Sequence, residues 1–449
     1  MALTKLSSLK GRYNDMLWIP KARANIEVLK NTLTFQTATG AELVAWEETA
    51  THLVVPRATI PYEEWGGLPF TVENTAFADF PEVRGVDLTF PLRDEQRPAW
   101  KALVEGGSGI LCLACGKGKT VVALHAWAAV GHPMMVVVDN SSLLDQWRER
   151  VLEHTNVNEE NIGIIKEGQL DWDKPIVIAS MQTLFRRVEN GEWPEEAARH
   201  FGIICYDEVQ VLGAQKFNLT ANLGHGHRWG LSATWKRSDG LTAMYQNHLG
   251  PVLYTDLEQE ITPDVFFIRT GRKWGTANDA ASRDVRKEFN IGKFYVELTN
   301  DDGRNDLIVD LCDQALSDGH QILALSHSRD HIETLGERYG GKSAAIHGGV
   351  PWQKRKGMLD ENDLVFAVTS LAYKGLDKPA LTVLMVLTPL KDLNWVQQMT
   401  GRVQRETEDK KHAMVIVLLD ENVHYAQSMC RRMMAVFTEH GIPFRVIDP

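Results

Sequence analysis

Cysteine is scarce in this sequence, with five in 449 residues. So sparse and odd a count excludes the disulfide framework of a small secreted protein, and reduced thiols are expected. Long apolar runs are missing too. No stretch approaches the roughly 20 apolar residues that span a bilayer, and the opening MALTKLSSLKGR has neither the apolar segment nor the cleavage site of a signal peptide. A cytoplasmic location is the expectation. Positive charge is in deficit: 48 Lys and Arg stand against 59 Asp and Glu, a net charge of −11. That argues against holding nucleic acid by bulk attraction, though not against a groove with local basic groups. Internal repeats and low-complexity tracts are also lacking, which excludes a solenoid or array.

What is present is an ordinary globular composition, 44% apolar and 24% charged, at a length that allows two or three domains of about 150 residues. From Asn31 to Arg57, NTLTFQTATGAELVAWEETATHLVVPR reads as short alternating strands with a Thr-Gly turn, after a mixed stretch at Ile26 to Leu29. After about Val86 the texture changes to short apolar runs and amphipathic segments: GILCLA, TVVALHAWAAV, PMMVVVD, SSLLDQWRERVLEHT, PIVIAS and FGIICYDE. Continuously apolar strands between helices indicate a parallel sheet buried on both faces. The pattern pauses across about Gly250 to Asn290, a polar stretch whose part from Gly271 to Glu288 suits an ordered wedge or a flexible loop equally. It resumes with QILALSHS, SAAIHGG, DLVFAVTS, LTVLMVLTP and HAMVIVLLD. The expected fold class is α/β, with two tandem parallel-sheet domains, residues 89–258 and 259–449, behind a small α+β module, residues 1–88.

The stretch ILCLACGKGKTVV, Ile110 to Val122, admits two chemistries. Cys112 and Cys115 form a Cys-x-x-Cys, a redox motif or half a zinc site. No second such pair or nearby Cys and His completes four zinc ligands, and Cys112 falls where a strand side chain is buried. The overlapping GKGKT is a phosphate loop with a strand before it and a helix after it. Cys115, Gly116, Lys117, Gly118, Lys119 and Thr120 are therefore the candidate phosphate-binding residues. The glycines let backbone N–H groups close around oxygens, Lys119 neutralises β/γ charge and the Thr120 hydroxyl ligates Mg²⁺. The loop departs from G-x-x-x-x-G-K-[ST] at its first glycine, where Leu113 stands.

A phosphate loop alone suits kinases, switches and transporters. IICYDEVQ narrows the choice, because an apolar strand ends in Asp207 and Glu208, one acid to hold Mg²⁺ and the next to polarise the attacking water. LSATWKR puts Ser232 and Thr234 at the end of another strand, and TSLAYKGLD, Thr369 to Asp377, ends one in the second half. QQMTGRVQR places Gln398, Gly401, Arg402 and Arg405 at i, i+3, i+4 and i+7, one helix face. Two arginines there suit stabilisation of γ-phosphate charge from an adjacent domain; alone, the segment reads as a solvated basic face. HGHRW, His225 to Trp229, has two His at i, i+2 without a third ligand nearby, which is more in keeping with a loop than a metal site.

In order, LRDEQ, GKGKT, DEVQ, SAT, TSLAYKGLD and QQMTGRVQR closely resemble the motifs of superfamily 2 helicases. Within them the chain looks like the branch of phage UvsW-type branch-migration helicases, RecG-like remodellers and nucleotide-excision-repair translocases. The resemblance covers about Leu92 to Arg405 and leaves out the first 88 residues or so. It implies two RecA-like domains sharing one ATP, with Mg²⁺. It further implies that Gln96 reads the adenine edge, that Lys119 and Thr120 bind phosphate and Mg²⁺, and that Asp207 and Glu208 serve Mg²⁺ and water. Gln210, Ser232 and Thr234 would couple hydrolysis to domain movement. Gly375 and Asp377 would line the nucleotide site, and Gln398, Arg402 and Arg405 would complete it. Nucleic-acid contacts, by position, would be Ser141 and Gln146 in NSSLLDQW, Gln182 and Thr183 in ASMQTL, Ser326 and His327 in LSHSR, His347 and Gly348 in IHGG, and Thr369. Each of these alone reads as a cap or turn residue, and only the set points to a backbone track.

The resulting expectation is an ATP-dependent DNA motor acting on forks and Holliday junctions in recombination, replication and repair, in the host cytoplasm if phage-encoded. A monomer suffices for it, and the N-terminal module would hold duplex DNA. The preference for DNA rests on DEVQ in place of DEAD and on QQMTGRVQR in place of a His-Arg-x-Gly-Arg start, which is resemblance rather than visible chemistry. The rivals are an RNA helicase and an ATP-switched clamp that binds nucleic acid without stepping. A restriction-system motor would add a nuclease cluster or long extensions, and neither is evident.

Overall fold

The computed structural model describes residues 10–449 apart from 38–39, 77–78, 115, 212–213, 234–239, 259–261, 275–290, 341, 373–377, 379 and 391–412. The chain divides into two compact units, Met1–Leu257 and Glu258–Pro449. No helix among the described residues is long and apolar enough to cross a membrane.

The first unit opens with short strands β1 (Gly11–Tyr13), β2 (Leu17–Pro20), β3 (Thr34–Gln36), β4 (Glu42–Val44), β5 (Glu47–Glu48), β6 (His52–Val55) and β7 (Val72–Asn74). Five of them form a sheet in the order β5-β6-β2-β1-β7, while β3 and β4 pair by themselves. Leu17, Ile19, Leu53 and Val55 are wholly buried in a small core with Leu33, at the end of helix Ile26–Thr32. This is the N-terminal sheet-and-helix module.

A larger sheet follows, built from β8 (Gly109–Leu113), β9 (Met134–Val138), β10 (Ile162–Lys166), β11 (Gln169–Leu170), β12 (Ile176–Ser180), β13 (Ile203–Tyr206), β14 (His227–Ser232) and β15 (Val252–Asp256). Its order is β11-β10-β12-β9-β13-β14-β8-β15, and every neighbouring pair is parallel except β10 with β11. Every residue of β8 and β9 is buried, for a reason the alternation makes plain. Leu111, Val136 and Val138 face a core shared with Trp127 and Trp147, whereas Ile110, Met135 and Val137 face one shared with Leu184 and Phe217. With helices on both faces, both sets of side chains must be apolar.

The second unit repeats the plan with β16 (Asp264–Arg269), β17 (Ile322–Ser326), β18 (Ala344–Ile346), β19 (Leu364–Val368), β20 (Val383–Val386), β21 (Met414–Leu419) and β22 (Phe444–Ile447). The order is β18-β19-β17-β20-β21-β16-β22, parallel throughout. The chain is thus α/β, with two RecA-like parallel-sheet domains in tandem. The polar pause expected from about Gly250 to Asn290 is corrected in its first half, which supplies β15 and β16.

Candidate active site

In the first sheet β13, β14 and β8 are neighbours, so the loops at their carboxyl ends converge. That edge is where open parallel sheets bind ligands. Helix Lys119–Val130 starts directly after the phosphate loop, with Gly118 at φ 81° and Gly116 at φ 89°. A Cβ on Gly118 would lie 2.3 Å from Gln96 Nε2. Glycine is required there both by the left-handed backbone and by the close approach.

Lys119 turns inward. Its Nζ lies 3.4 Å from Glu208 Oε1 and 3.5 Å from the Leu113 carbonyl oxygen. The other Glu208 oxygen, Oε2, accepts from Gln210 Nε2 at 2.6 Å, and Gln210 Oε1 accepts from the Ser232 hydroxyl at 2.7 Å. One line of contacts therefore runs from the phosphate-loop lysine through Glu208 and Gln210 to the end of β14. Glu208 has φ 47°, a conformation that costs energy for a residue with a side chain. Strain of this kind persists where surrounding contacts over-determine the backbone, and Glu208 has such contacts on both carboxylate oxygens.

Asp207 is buried beside it. Its Oδ1 accepts the Glu208 backbone N–H at 3.0 Å, and its Oδ2 accepts the Trp147 indole N–H at 2.7 Å. Burial raises its pKa above the ordinary carboxylate range and the Glu208 charge adds to the shift, while the Trp147 hydrogen bond and Lys119 oppose it. The donor set suits Mg²⁺, which takes one or two carboxylates and keeps substrate phosphate oxygens and waters for the rest. Asp207 and the Thr120 hydroxyl, in the first helical turn, are the residues that would hold it.

Two neighbours refine the sequence reading. Gln96 is buried, with Oε1 accepting the Arg93 N–H at 3.1 Å and Nε2 donating to the Lys117 carbonyl at 3.0 Å. The side chain of Lys117, a residue of the candidate phosphate loop, meets Asp256 at 2.9 and 3.0 Å, on the last residue of β15. Cys112 is buried in β8 and its thiol is pushed up to about 12 by that burial. Cys115, Thr234, Gly375, Asp377, Gln398, Arg402 and Arg405 lie outside the described residues. Sequence reasoning passed over Asp256 and Trp147. The first carries no motif; the second stood unremarked within NSSLLDQW.

The nucleic-acid candidates of the first unit cluster at the carboxyl ends of the adjacent strands β9 and β12. Ser141 is exposed at the start of helix Ser141–His154, whose cap is Asn140, accepting the Leu143 N–H at 3.0 Å. Gln146 lies half-buried on that helix, and Thr183 half-buried on helix Met181–Glu189. Gln182, on helix Met181–Glu189, ties that helix to the turn after β9, donating to the Asp139 carbonyl at 2.5 Å and to Asp139 Oδ1 at 3.0 Å.

In the second unit His327 is exposed and stacks on Tyr295, 5.1 Å between ring centres. Ser326, by contrast, is wholly buried, with its hydroxyl 2.9 Å from His331 Nδ1. His347 Nε2 lies 3.3 Å from Glu333 and Gly348 is exposed. Thr369 is buried, and its hydroxyl has no hydrogen-bond partner among the described residues.

Comparison with known proteins agrees with this arrangement. Residues 89–237 match the family described as the Type III restriction enzyme res subunit, and residues 304–407 match the helicase conserved C-terminal domain. The chain carries the two domains of a superfamily 2, ATP-dependent helicase. A protein of Acanthamoeba polyphaga mimivirus, provisionally named an ATP-dependent RNA helicase, is 27% identical over 79% of this chain and 73% of its own length. The DNA 3'-5' helicase XPB of Kineococcus radiotolerans is 26% identical over 82% of this chain and 67% of its own. Among solved structures, S. cerevisiae Dbp5 bound to RNA and ADP BeF3 matches 79% of this chain and 89% of that one, with 13% identity and a TM-score of 0.57. T4 UvsW matches 98% of this chain and 100% of that one, with 14% identity and a TM-score of 0.42.

Proposed function

We propose that the protein is an ATP-driven DNA translocase that unwinds or branch-migrates forks and Holliday junctions. The observation that carries the ATPase part is the Lys119–Glu208–Gln210–Ser232 line, which joins the phosphate loop to the acid proposed to polarise water. Glu208 pairs with Lys119 and Gln210 in the described state, and an arriving phosphate gives Lys119 a new anionic partner. Among the described residues, Gln96 keeps one amide N–H and one oxygen lone pair beyond its two bonds, the donor and acceptor an adenine edge requires. Bound Mg²⁺ would supply charge neutralisation across the β- and γ-phosphates. Gly375, Asp377, Gln398, Arg402 and Arg405 keep the roles that the resemblance implies, and Thr234 keeps its coupling role.

DNA is favoured as the track by the relative named for a DNA helicase, and RNA is the second reading because another relative bears an RNA helicase name. Ser141, Gln146, Gln182, Thr183, His327, His347 and Gly348 are the proposed contacts; Ser326 and Thr369, both buried here, would need that burial relieved to join them. ATP hydrolysis by wild type and Lys119→Ala, measured with no nucleic acid, single-stranded DNA, duplex DNA, a Holliday junction and RNA, decides between them. Strong stimulation by branched DNA, lost in the variant, is expected. Stimulation by RNA alone overturns the DNA assignment, and indifference to every nucleic acid removes the motor.

A further inference from the structure

The contact between Trp147 and Asp207 joins two parts of the first unit that lie 60 residues apart. Trp147 is on helix Ser141–His154, the helix that begins at exposed Ser141 and carries Gln146. Its ring is buried against Leu144, Val151, Val136 and Val138. That packing needs only an aromatic body. The indole N–H is a single donor with no acceptor function, and here it is spent on a carboxylate at 2.7 Å.

The carboxylate is held at both ends. Oδ2 takes the indole, and Oδ1 takes the Glu208 backbone N–H at 3.0 Å. Rotation of the Asp207 side chain therefore breaks one bond or the other, and the lone pairs left over are fixed in direction. At the amino end of the same helix, the Asp139–Asn140 turn is latched by two Gln182 bonds to helix Met181–Glu189, which follows β12. The residues proposed to touch nucleic acid in this unit are thus connected, through one helix and one indole, to the acid proposed to hold magnesium.

We propose that Trp147 is a positioning residue, which orients the Asp207 carboxylate for the metal and makes that orientation depend on where helix Ser141–His154 is held by nucleic acid. The inference rests on the ATPase reading above. Partners that orient a metal ligand are worth about tenfold to a hundredfold in affinity or activity, so the contact is large enough to measure.

The test is Trp147→Phe in the full chain, which keeps most of the ring volume and removes the donor. Calorimetry measures ADP binding with Mg²⁺ and with EDTA, and hydrolysis is measured with and without DNA. The variant is expected to bind Mg²⁺–ADP about tenfold more weakly, to bind metal-free ADP as wild type does, and to lose most of the stimulation by DNA. Mg²⁺–ADP affinity and DNA stimulation both at wild-type levels overturn the proposal and leave Trp147 as core packing. Equal weakening of ADP with and without metal also overturns it. If wild type itself neither binds nor hydrolyses nucleotide, the ATPase reading has failed rather than this inference.

Should Trp147→Phe misfold, the wild-type protein answers the question through its indole N–H resonances. Paramagnetic Mn²⁺ with ADP is expected to broaden an indole signal that free Mn²⁺ leaves intact. Failure to broaden any of them overturns the proposal.

Discussion

Lys117 and Lys119 stand on the same loop and face different acids. Lys119 is paired with Glu208 at 3.4 Å inside the site, whereas Lys117 reaches Asp256 on the sheet's edge strand at 2.9 Å. The sequence reading gives the Lys119 ammonium to phosphate and counts Lys117 in the same loop; the Lys117 side chain is here an anchor between that loop and β15. Each side chain of the Lys117–Asp256 pair is only 17% exposed, so screening is weak, and removing the ammonium leaves a largely desolvated carboxylate at a cost of about 1–3 kcal/mol. Lys117→Met is accordingly expected to lower the melting temperature and to leave the KM for ATP within about threefold of wild type. Steady-state kinetics beside Lys119→Ala checks this. A KM raised as far as in Lys119→Ala would mean that the Lys117 ammonium leaves Asp256 for the nucleotide.

Among the elements, the phosphate turn offers a test that separates backbone conformation from crowding. Alanine at Gly118 must adopt φ 81° and also meets Gln96 Nε2 at 2.3 Å, whereas Gly240 has φ 78° with nothing among the described residues within 4 Å of its would-be Cβ. The left-handed conformation costs each alanine about 1–2 kcal/mol. Gly118→Ala is expected to cost more than Gly240→Ala in denaturant unfolding, and Gln96→Ala is expected to recover the excess. Equal costs would remove the crowding. The same comparison shows what was legible in the sequence. GILCL and MMVVV announced themselves because helices on both faces leave no polar position. The edge strand VLYTD has no fully buried residue, and so the segment read as a pause. GKGKT and DEVQ were legible because neighbouring residues supply the chemistry. Trp147 with Asp207 and Lys117 with Asp256 bring together residues 60 and 139 apart, and spacing along a chain does not encode such pairs.

For the whole molecule, each unit is tied together by polar side chains buried in its core, and these set how it fails. In the second unit Arg304 and Asp420 are wholly buried and joined by two bonds of 2.9 and 3.1 Å. Nearby His331 bridges Ser326 and Asn305, and its pKa is lowered to about 3 by burial, with Arg304 and Arg338 adding to the shift. The unfolded chain takes up this proton near the ordinary value of about 6.5. The contribution is therefore present above that pH and is lost as pH falls toward 3, by about 1.4 kcal/mol per unit. Unfolding free energies measured from pH 7.5 to 4.5 should show a shallower acid slope in His331→Gln, and an unchanged slope would place the proton uptake elsewhere. In the first unit the N-terminal module is moored at the amino ends of β8 and β14, opposite the phosphate loop. Arg57 donates to the His225 carbonyl at 2.9 Å and to the Ser108 hydroxyl at 3.2 Å. Arg228 donates to the carbonyls of Asp15 and Gly224 and, at 3.3 Å, of His248. Replacing Arg228 by Met relieves the repulsion between the two guanidinium groups but strands the Gly224 and His248 carbonyls in a buried place and loses the part-buried bond to Asp15. An unmet buried polar group costs about 1–3 kcal/mol, so the loss should win by about 3 kcal/mol and appear as a lower melting temperature. Hydrolysis at 25 °C should persist, because these contacts lie at the far end of β8 from Lys119. A variant that melts like wild type would show that the module is held by its apolar packing alone; one that folds but loses hydrolysis would show that the mooring reaches the phosphate loop through β8.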